Sequence, residues 1–354
     1  MAYKEINDIL KNSKLQHPLY SAFCNNDKYY KDFLNILEDY KRVLNDNEYN
    51  KFLLKGKLDK SIEPAEYLQF AAEVTVVDYI IRTQKCFINE PIYNKKKNPE
   101  CSFEYDNRIV NIEVKCPNLS KRITQEKLGD VRIYAGERFP DIIRYNDIID
   151  DIEHNCDSIT IQPIDRLDNK LKDYLISAHN KFPNTSEKYF NILIIALDII
   201  SDMDEWYSYL FGDYGAFTCN TYIKEDYSNV DAVMITNIQS GHVGNPEYYA
   251  INCWALENYL SLIFLDPRKE KKHNLGRYFF ESGGTLFGSN TFEFIKFQER
   301  LDGLDKNVDL IRNDNTNQNY VDEDKYIYKK ILSMQMISEW VNEMKTNNCK
   351  RHDN

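Results

Sequence analysis

Two glutamates and a lysine lie in a pattern that brings their side chains to one face of a β-hairpin. Glu113 and Lys115 are two residues apart in a segment that alternates between apolar and polar residues, and an earlier alternating segment follows Glu100. Between the two segments, Asp106-Asn107 has the chemistry of a two-residue hairpin turn. A turn at these residues sets Glu100 directly opposite Glu113.

The opposed carboxylates require a compensating positive charge. Directly opposed residues on paired strands have Cβ atoms about 4.5–5.5 Å apart, and like charges at that separation are destabilising. Lys115 lies further along the same face as Glu113. A divalent cation held between Glu100 and Glu113 would neutralise them, so the pattern indicates a metal site.

The two faces of the predicted hairpin differ in polarity. One face carries Cys101, Phe103, Tyr105, Val110, Ile112 and Val114. The other face carries Glu100, Ser102, Glu104, Ile109, Asn111, Glu113 and Lys115. This alternation is typical of a pair of β-strands, and it places the two glutamates and the lysine together.

A helix predicted over residues 64–81 supplies a third carboxylate. Pro64 suits the first turn of a helix, and Glu73 lies beside the centre of the apolar stripe. The stripe consists of Tyr67, Phe70, Val74, Val77 and Ile81. A carboxylate is costly to bury without a partner, so Glu73 either has one or lies at the solvent edge of the stripe.

The segments around the hairpin predict an α/β core. Residues 86–89 form a short strand, and residues 169–182 have the spacing of an amphipathic helix. Residues 190–197 are a continuous apolar run, which is typical of a strand buried on both faces. With the helix over 64–81 and the hairpin, these segments give the order αβββαβ.

With these elements in place, the chain resembles the PD-(D/E)xK nuclease superfamily, whose members have a restriction-endonuclease-like fold. In that family a carboxylate follows a proline at the start of one strand, and Glu-x-Lys lies on the next. Here these are the Pro-Glu pair that ends at Glu100 and the Glu-Val-Lys run at 113–115. Many members also use a glutamate from the preceding helix, which corresponds to Glu73. The resemblance covers roughly residues 64–198, and it implies a mixed sheet flanked by helices.

The resemblance also implies a Mg²⁺-dependent endonuclease, for which Mn²⁺ would substitute. Mg²⁺ prefers oxygen ligands at about 2.0–2.1 Å and keeps several waters, so two carboxylates and a substrate phosphate suffice. Glu100, Glu113 and the carbonyl of Val114 would hold the ion, and Glu73 would bind a second ion or support the first through water. The ion would polarise the scissile phosphate and activate a water. Lys115 would orient that water or stabilise the charge that builds on the phosphate.

The substrate and the role follow from the resemblance alone. It implies DNA more than RNA, and a part in restriction or defence. Family members often place a polar residue on the helix after the hairpin. The candidates there, without assigned roles, are Lys172, Ser177 and Lys181.

One departure from the family pattern keeps a second class of protein open. The first acidic position is Glu100, where the family usually has aspartate. Together with the net charge of −11, this favours an inactive nuclease-like fold that binds protein or nucleic acid. A nuclease that acts on RNA is a third alternative.

Composition narrows the broad class. The net charge of −11 argues against a protein that coats nucleic acid non-specifically, although residues 82–132 carry eleven basic against seven acidic residues. Eight scattered cysteines without a CxxC pair, and six histidines without metal-like spacing, favour a reduced protein without a zinc site. No apolar run is long enough for a membrane helix, so the sequence favours a cytoplasmic protein with no membrane partner.

Three regions are predicted along the chain. Residues 1–60 form a helical N-terminal segment, and residues 61–238 form the nuclease-like core, with an insertion at about 118–162 and a strand over 229–236. Residues 239–354 form an α+β C-terminal extension with a strand over 248–253 and a last amphipathic helix from Ile327. The terminal helices would offer a surface to a second copy of the chain or to a protein partner.

Overall fold

The structure is a computed structural model of the 354-residue chain. It describes residues 17–118, 167–242, 252–266 and 291–293, apart from short gaps at 26–27, 59, 94–96, 106, 199, 212–214 and 218–226. Most of the predicted insertion and the last predicted helix therefore lie outside the described residues, as do the first sixteen residues of the predicted N-terminal segment.

Three helices form the described part of the N-terminal segment, as the sequence predicts for that part. They are α1 (Pro18–Cys24), α2 (Lys28–Val43) and α3 (Asp46–Lys55). Helix α3 begins with a capping box, in which the side chain of Asn45 accepts from the backbone of Glu48 and the Glu48 side chain accepts from the backbone of Asn45. This cap fixes where α3 begins, and therefore where its last residue, Lys55, lies.

Helix α4 (Pro64–Thr83) runs through the middle of the molecule. Pro64 occupies its first turn, where the missing N–H has no cost. Every residue from Phe70 to Ile81 is buried, so the helix is enclosed on nearly all sides. The buried surface of α4 is wider than the predicted apolar stripe, because α2 packs on one side of the helix and the sheet packs on another.

The hairpin has the predicted register. Strands β1 (Lys85–Asn89), β2 (Cys101–Tyr105) and β3 (Arg108–Lys115) follow α4, and Tyr105 pairs with Arg108 across a two-residue turn. Asn107 in that turn has a φ of 61°, a left-handed conformation that asparagine tolerates. The pairing of Cys101 with Ile112 confirms the predicted register.

In the described part of the chain, the hairpin belongs to an open mixed sheet of seven strands that lie side by side in chain order. The remaining elements are α5 (Leu167–Lys181), β4 (Tyr189–Ala196), α6 (Ile200–Phe211), β5 (Ala232–Thr236), β6 (Ser261–Leu265) and β7 (Thr291–Glu293). Strands β3, β4 and β5 are parallel, whereas β1–β2–β3 and β5–β6 are antiparallel pairs. The predicted α/β class, the order αβββαβ and the mixed sheet flanked by helices are thus confirmed.

The C-terminal extension adds strands to this sheet, but the predicted strand over 248–253 was wrong where it can be assessed. Asn252 and Cys253 lie in a turn before a short 3-10 helix, Leu256–Asn258, and residues 248–251 lie outside the described residues. The strand that pairs with β5 is β6. The apolar run of β6 is longer than the run before it, and is therefore the stronger signal for a strand.

The sheet separates two apolar layers. On one side, Val110, Ile112 and Val114 of β3 pack toward α4 and the N-terminal helices. On the other side, Leu193 and Ile195 of β4 pack toward α5 and α6. Because neighbouring residues of a strand point to opposite faces, Glu113 points to the side of the sheet that α5 covers.

A pair of buried asparagines fixes the alignment of β3 and β4. Asn111 donates from Nδ2 to Oδ1 of Asn191 at 2.8 Å, and Asn191 Nδ2 donates to the carbonyls of Pro183 at 3.1 Å and Asn229 at 2.7 Å. The hydroxyl of Tyr93 donates to Oδ1 of Asn111 at 2.6 Å. The network also anchors the chain just after α5, two residues beyond Lys181.

A buried histidine joins the N-terminal helices to the core. His242 Nδ1 lies 2.6 Å from the hydroxyl of Tyr29 on α2, and Nε2 lies 3.1 Å from Oγ1 of Thr75 on α4. The indole of Trp254 donates to the carbonyl of Tyr29 at 3.0 Å. Burial lowers the pKa of His242 to about 3, because a charged imidazolium is poorly solvated there.

Among the described residues, no helix combines the length and the apolar character needed to cross a membrane.

The pKa of His242 predicts an acid-sensitive contribution to stability. The unfolded chain protonates this histidine at about pH 6.5 and the folded chain at about pH 3, so its contribution is complete above pH 6.5 and is lost as the pH falls toward 3. The loss is about 1.4 kcal/mol per pH unit within that window. Urea unfolding at pH 5.0 and 6.0 measures it.

The comparison is with His242→Gln, which removes the titrating group. Glu73 and Asp78, whose pKa values are raised by burial, contribute with the opposite sign, so only the difference between the two proteins isolates the histidine. The unfolding free energy of the parent should fall more steeply between pH 6.0 and 5.0 than that of the variant. Parallel losses would contradict the assignment.

Candidate active site

Three elements bring the predicted carboxylates together. Glu100 lies one residue before β2, and its backbone N–H donates at 2.9 Å to the carbonyl of Ile112, the residue that pairs with Cys101. The regular pairing of β2 and β3 therefore ends at Cys101, and Glu100 is not paired directly with Glu113 as predicted, although Lys181 contacts both side chains. Glu113 lies on β3, and Glu73 lies on α4. All three side chains are at most 12% exposed. Glu73 is therefore buried and paired, not at the solvent edge of its helix.

Lysine ammonium groups lie between the carboxylates. Lys55 Nζ is 2.5 Å from Oε2 of Glu73 and 2.8 Å from Oε2 of Glu100. Lys181 Nζ is 2.6 Å from Oε1 of Glu113 and 3.6 Å from Oε1 of Glu100. Lys55 is on α3, which precedes the hairpin in the sequence, and Lys181 is on α5, which follows it. The two lysines therefore link the carboxylates to both helices.

Lys115 completes the cluster. Its Nζ lies 2.8 Å from Oε1 of Glu113, the oxygen that also contacts Lys181. The cluster thus contains three carboxylates and three ammonium groups. Lys115 is the predicted lysine of the Glu-x-Lys run, and its side chain is 21% exposed, so it lies between the buried carboxylate and solvent.

Gln69 ties α4 to the end of β3. Its Nε2 donates to Oε1 of Glu73 at 2.6 Å and to the carbonyl of Val114 at 3.1 Å. Its Oε1 accepts from the backbone N–H of Cys116 at 2.8 Å. Gln69 therefore sets the distance between Glu73 and the strand that carries Glu113, and it already bonds the carbonyl that was predicted to be a metal ligand.

Burial and neighbouring charges shift the pKa values of the three carboxylates in different directions. Burial, and then the charge of Glu100, raise the pKa of Glu73 to about 7 and also raise the pKa of Glu113. Burial acts in the same sense on Glu100, but the charges of Lys55 and Lys181 outweigh it and lower its pKa. Glu100 is therefore the carboxylate that these lysines hold ionised.

The two lysines respond to the same charges. Burial acts to lower the pKa of Lys55, but Glu73 and Glu100 outweigh it and raise the pKa. For Lys181, Glu113 and Glu100 outweigh burial in the same way. Both side chains therefore remain cationic at neutral pH.

Among the described residues, one carboxylate oxygen of this cluster has no hydrogen-bond partner. Glu113 is wholly buried, and its Oε2 is unpartnered whereas its Oε1 contacts two lysines. A buried acceptor without a partner is costly. A cation ligated by Oε2 would satisfy it, and the neighbouring Glu100 supplies a second oxygen ligand of the kind that Mg²⁺ prefers.

Within the described part of the chain, no group of three histidine, cysteine, aspartate or glutamate side chains is gathered as a metal site. The carboxylates are bridged by Lys55 and Lys181 in this arrangement. A metal at Glu100 and Glu113 would therefore rely on two carboxylates, substrate and water, a ligand set that is sufficient for Mg²⁺.

The chain matches no protein-family model, no curated protein and no solved structure.

Sequence reasoning found most of this cluster but missed two members. The structure brings together the predicted Glu73, Glu100, Glu113 and Lys115, and of the three polar residues noted on α5, Lys181 reaches the carboxylates. Gln69 and Lys55 were missed. Gln69 lies four residues before Glu73, so the helical spacing could have identified it. Lys55 lies on a separate helix, and no local pattern marks it.

We expect Gln69→Ala to lower the free energy of unfolding by about 1–3 kcal/mol, because it leaves a buried carbonyl, an N–H and part of Glu73 without their partner. Urea denaturation with a two-state fit would measure the change. Gln84→Ala is a matched control, since Gln84 caps the end of the same helix and its amide contacts the neighbouring Thr83 at the surface. That variant should change stability by less than about 0.5 kcal/mol. Equal effects of the two substitutions would rule out a special role for Gln69.

Proposed function

We propose that this protein is a Mg²⁺-dependent endonuclease of the PD-(D/E)xK type, built on a restriction-endonuclease-like core. One observation carries the proposal. Glu100 and Glu113 share the ammonium group of Lys181 at the end of the hairpin, next to Lys115, and the buried Oε2 of Glu113 has no partner among the described residues. The order of the described elements from α4 to β4, with β3 parallel to β4, supports the proposed core.

Each residue of the site would have a distinct task. Glu100 and Glu113 would hold the ion, and the carbonyl of Val114 would add a ligand through the lone pair that Gln69 leaves free. The bound ion supplies polarisation of the scissile phosphate and a lower pKa for the attacking water. Lys115, which contacts Glu113 and is partly exposed, would orient that water or stabilise the phosphate charge.

The surrounding charges also suit a polyanionic substrate. Three ammonium groups balance three carboxylates around the site, so an added divalent ion would leave the cluster positive. A phosphodiester would then meet a favourable local field although the whole chain carries a charge of −11. We propose DNA as the substrate in preference to RNA, and a cytoplasmic role in restriction or defence, in keeping with the family that the residues resemble.

The proposal predicts metal-dependent cleavage that depends on named residues. The purified chain should cut plasmid DNA with Mg²⁺ or Mn²⁺ and not with EDTA. Glu113→Gln and Lys115→Met should each lower the cleavage rate by at least about 100-fold, because each removes a charge from the reacting centre. A gel assay of supercoiled plasmid against time measures the rate.

Glu104→Gln is the matched control, since Glu104 is an exposed carboxylate on the same hairpin and should leave the rate within about twofold. Full activity of Glu113→Gln would disprove the assigned centre. Single-stranded DNA and RNA in the same assay identify the substrate, and faster cleavage of RNA would replace the DNA assignment.

A non-catalytic binding module is the second candidate, and a specific observation favours it. The ammonium groups of Lys55, Lys115 and Lys181 already pair with all three carboxylates, so the folded chain is neutralised here without a metal. Glutamate at position 100 and the net charge of −11 point the same way. Titration calorimetry with Mn²⁺ separates the candidates, because an inactive fold would show no binding that depends on Glu113.

A further inference from the structure

We propose that Lys55 takes the place of a second metal ion, so that the centre binds a single divalent cation next to Glu113. The inference rests on the proposed metal site at Glu100 and Glu113, and it concerns how many ions that site accepts. It assigns a part in the centre to the N-terminal helices.

The position of the ammonium group is the first argument. Lys55 Nζ bridges Glu73 and Glu100, with a separation of 2.5 Å from the first carboxylate and 2.8 Å from the second. A metal ion shared by these two residues would need the same space and the same oxygens. The fixed charge of the lysine therefore competes with a second ion at this point.

The oxygens of the cluster are used unequally, which is the second argument. Both oxygens of Glu73 are occupied, one by Lys55 and the other by the amide of Gln69. Glu113 differs, because its Oε1 contacts two ammonium groups and its buried Oε2 has no partner. An incoming cation thus finds a vacant ligand at Glu113 and none at Glu73.

The backbone that carries Lys55 is held in place, which is the third argument. The carbonyl of the next residue, Gly56, accepts from Nε2 of His17 at 3.0 Å. Gly56 also packs so closely on Phe70 that an added Cβ would lie 2.6 Å from the ring. Phe70 is on α4, one helical turn before Glu73, so α3 is fixed against the helix that carries the carboxylate.

Counting bound Mn²⁺ on the full-length chain tests the inference without any activity measurement. Titration calorimetry, supported by the electron paramagnetic resonance signal of free Mn²⁺, should give one ion per chain for the parent and none for Glu113→Gln. Lys55→Met should bind two ions, since Glu73 and Glu100 lose their shared cation. The milder Lys55→Gln, which keeps a hydrogen-bond donor, should also bind two.

Two further variants test whether the number of bound ions depends on the pairing of Lys55 with Glu73. Lys57→Met is the matched control, because Lys57 pairs with the exposed Glu66 at 2.6 Å, and it should still bind one ion. The double variant Lys55→Met, Glu73→Gln removes one charge of each sign, so it avoids an unpaired buried carboxylate and should return to one ion. It also provides a folded protein if the single variants are too unstable to purify.

The outcomes distinguish this inference from the proposed function. Two ions on the parent, one ion on Lys55→Met and Lys55→Gln, or two ions on the double variant would each overturn the role of Lys55 while the metal centre stands. Absence of Mn²⁺ binding to both the parent and the Lys55 variants would instead reject the metal centre itself.

Discussion

The compensation of buried negative charge constrains this structure more than any other interaction. Glu73, Glu100 and Glu113 come from a central helix and a hairpin, and each would be costly to bury alone. Lysines from three different elements approach them within hydrogen-bond distance. The packing of α3, α4, α5 and the hairpin must therefore satisfy the geometry of these ion pairs as well as the burial of apolar area.

Such a cluster does not by itself explain stability. The cost of removing two charges from water can equal their attraction, and an apolar replacement of similar volume is often no less stable. The loss of one partner is more harmful, because the remaining charge is buried without compensation. Stability alone therefore does not account for six ionisable groups around one hairpin, which agrees with the cation and phosphate site that we propose.

Local sequence patterns predicted the parts of the fold that local interactions determine. The alternation on each side of Asp106-Asn107 predicted the strand register, and therefore that Glu100 and Glu113 lie at the same end of the hairpin. The apolar run of β4 gave a strand buried on both faces, and the 3.6-residue spacing gave α4 and α5. These elements depend on contacts between residues that are close in sequence. Their apolar residues recur with the period of a strand or a helix because those residues face the core.

Contacts between distant segments were not available from the same patterns. Nothing in the sequence of α3 indicates that Lys55 meets Glu73, because the contact depends on how Gly56 packs on Phe70. The burial of α4 on nearly all sides depends likewise on α2 and the sheet together.

The contact between Lys55 and Glu73 of α4 limits where the chain can be truncated without changing the site. A fragment that begins at residue 61 would keep Glu73, Glu100 and Glu113 but would lack the ammonium group that two of them share. Such a fragment would retain the sheet residues of the centre with an altered charge, and its affinity for cations would not represent that of the intact chain. Since the partners are far apart in sequence, the centre forms only when long-range contacts between α3, α4, α5 and the hairpin are made.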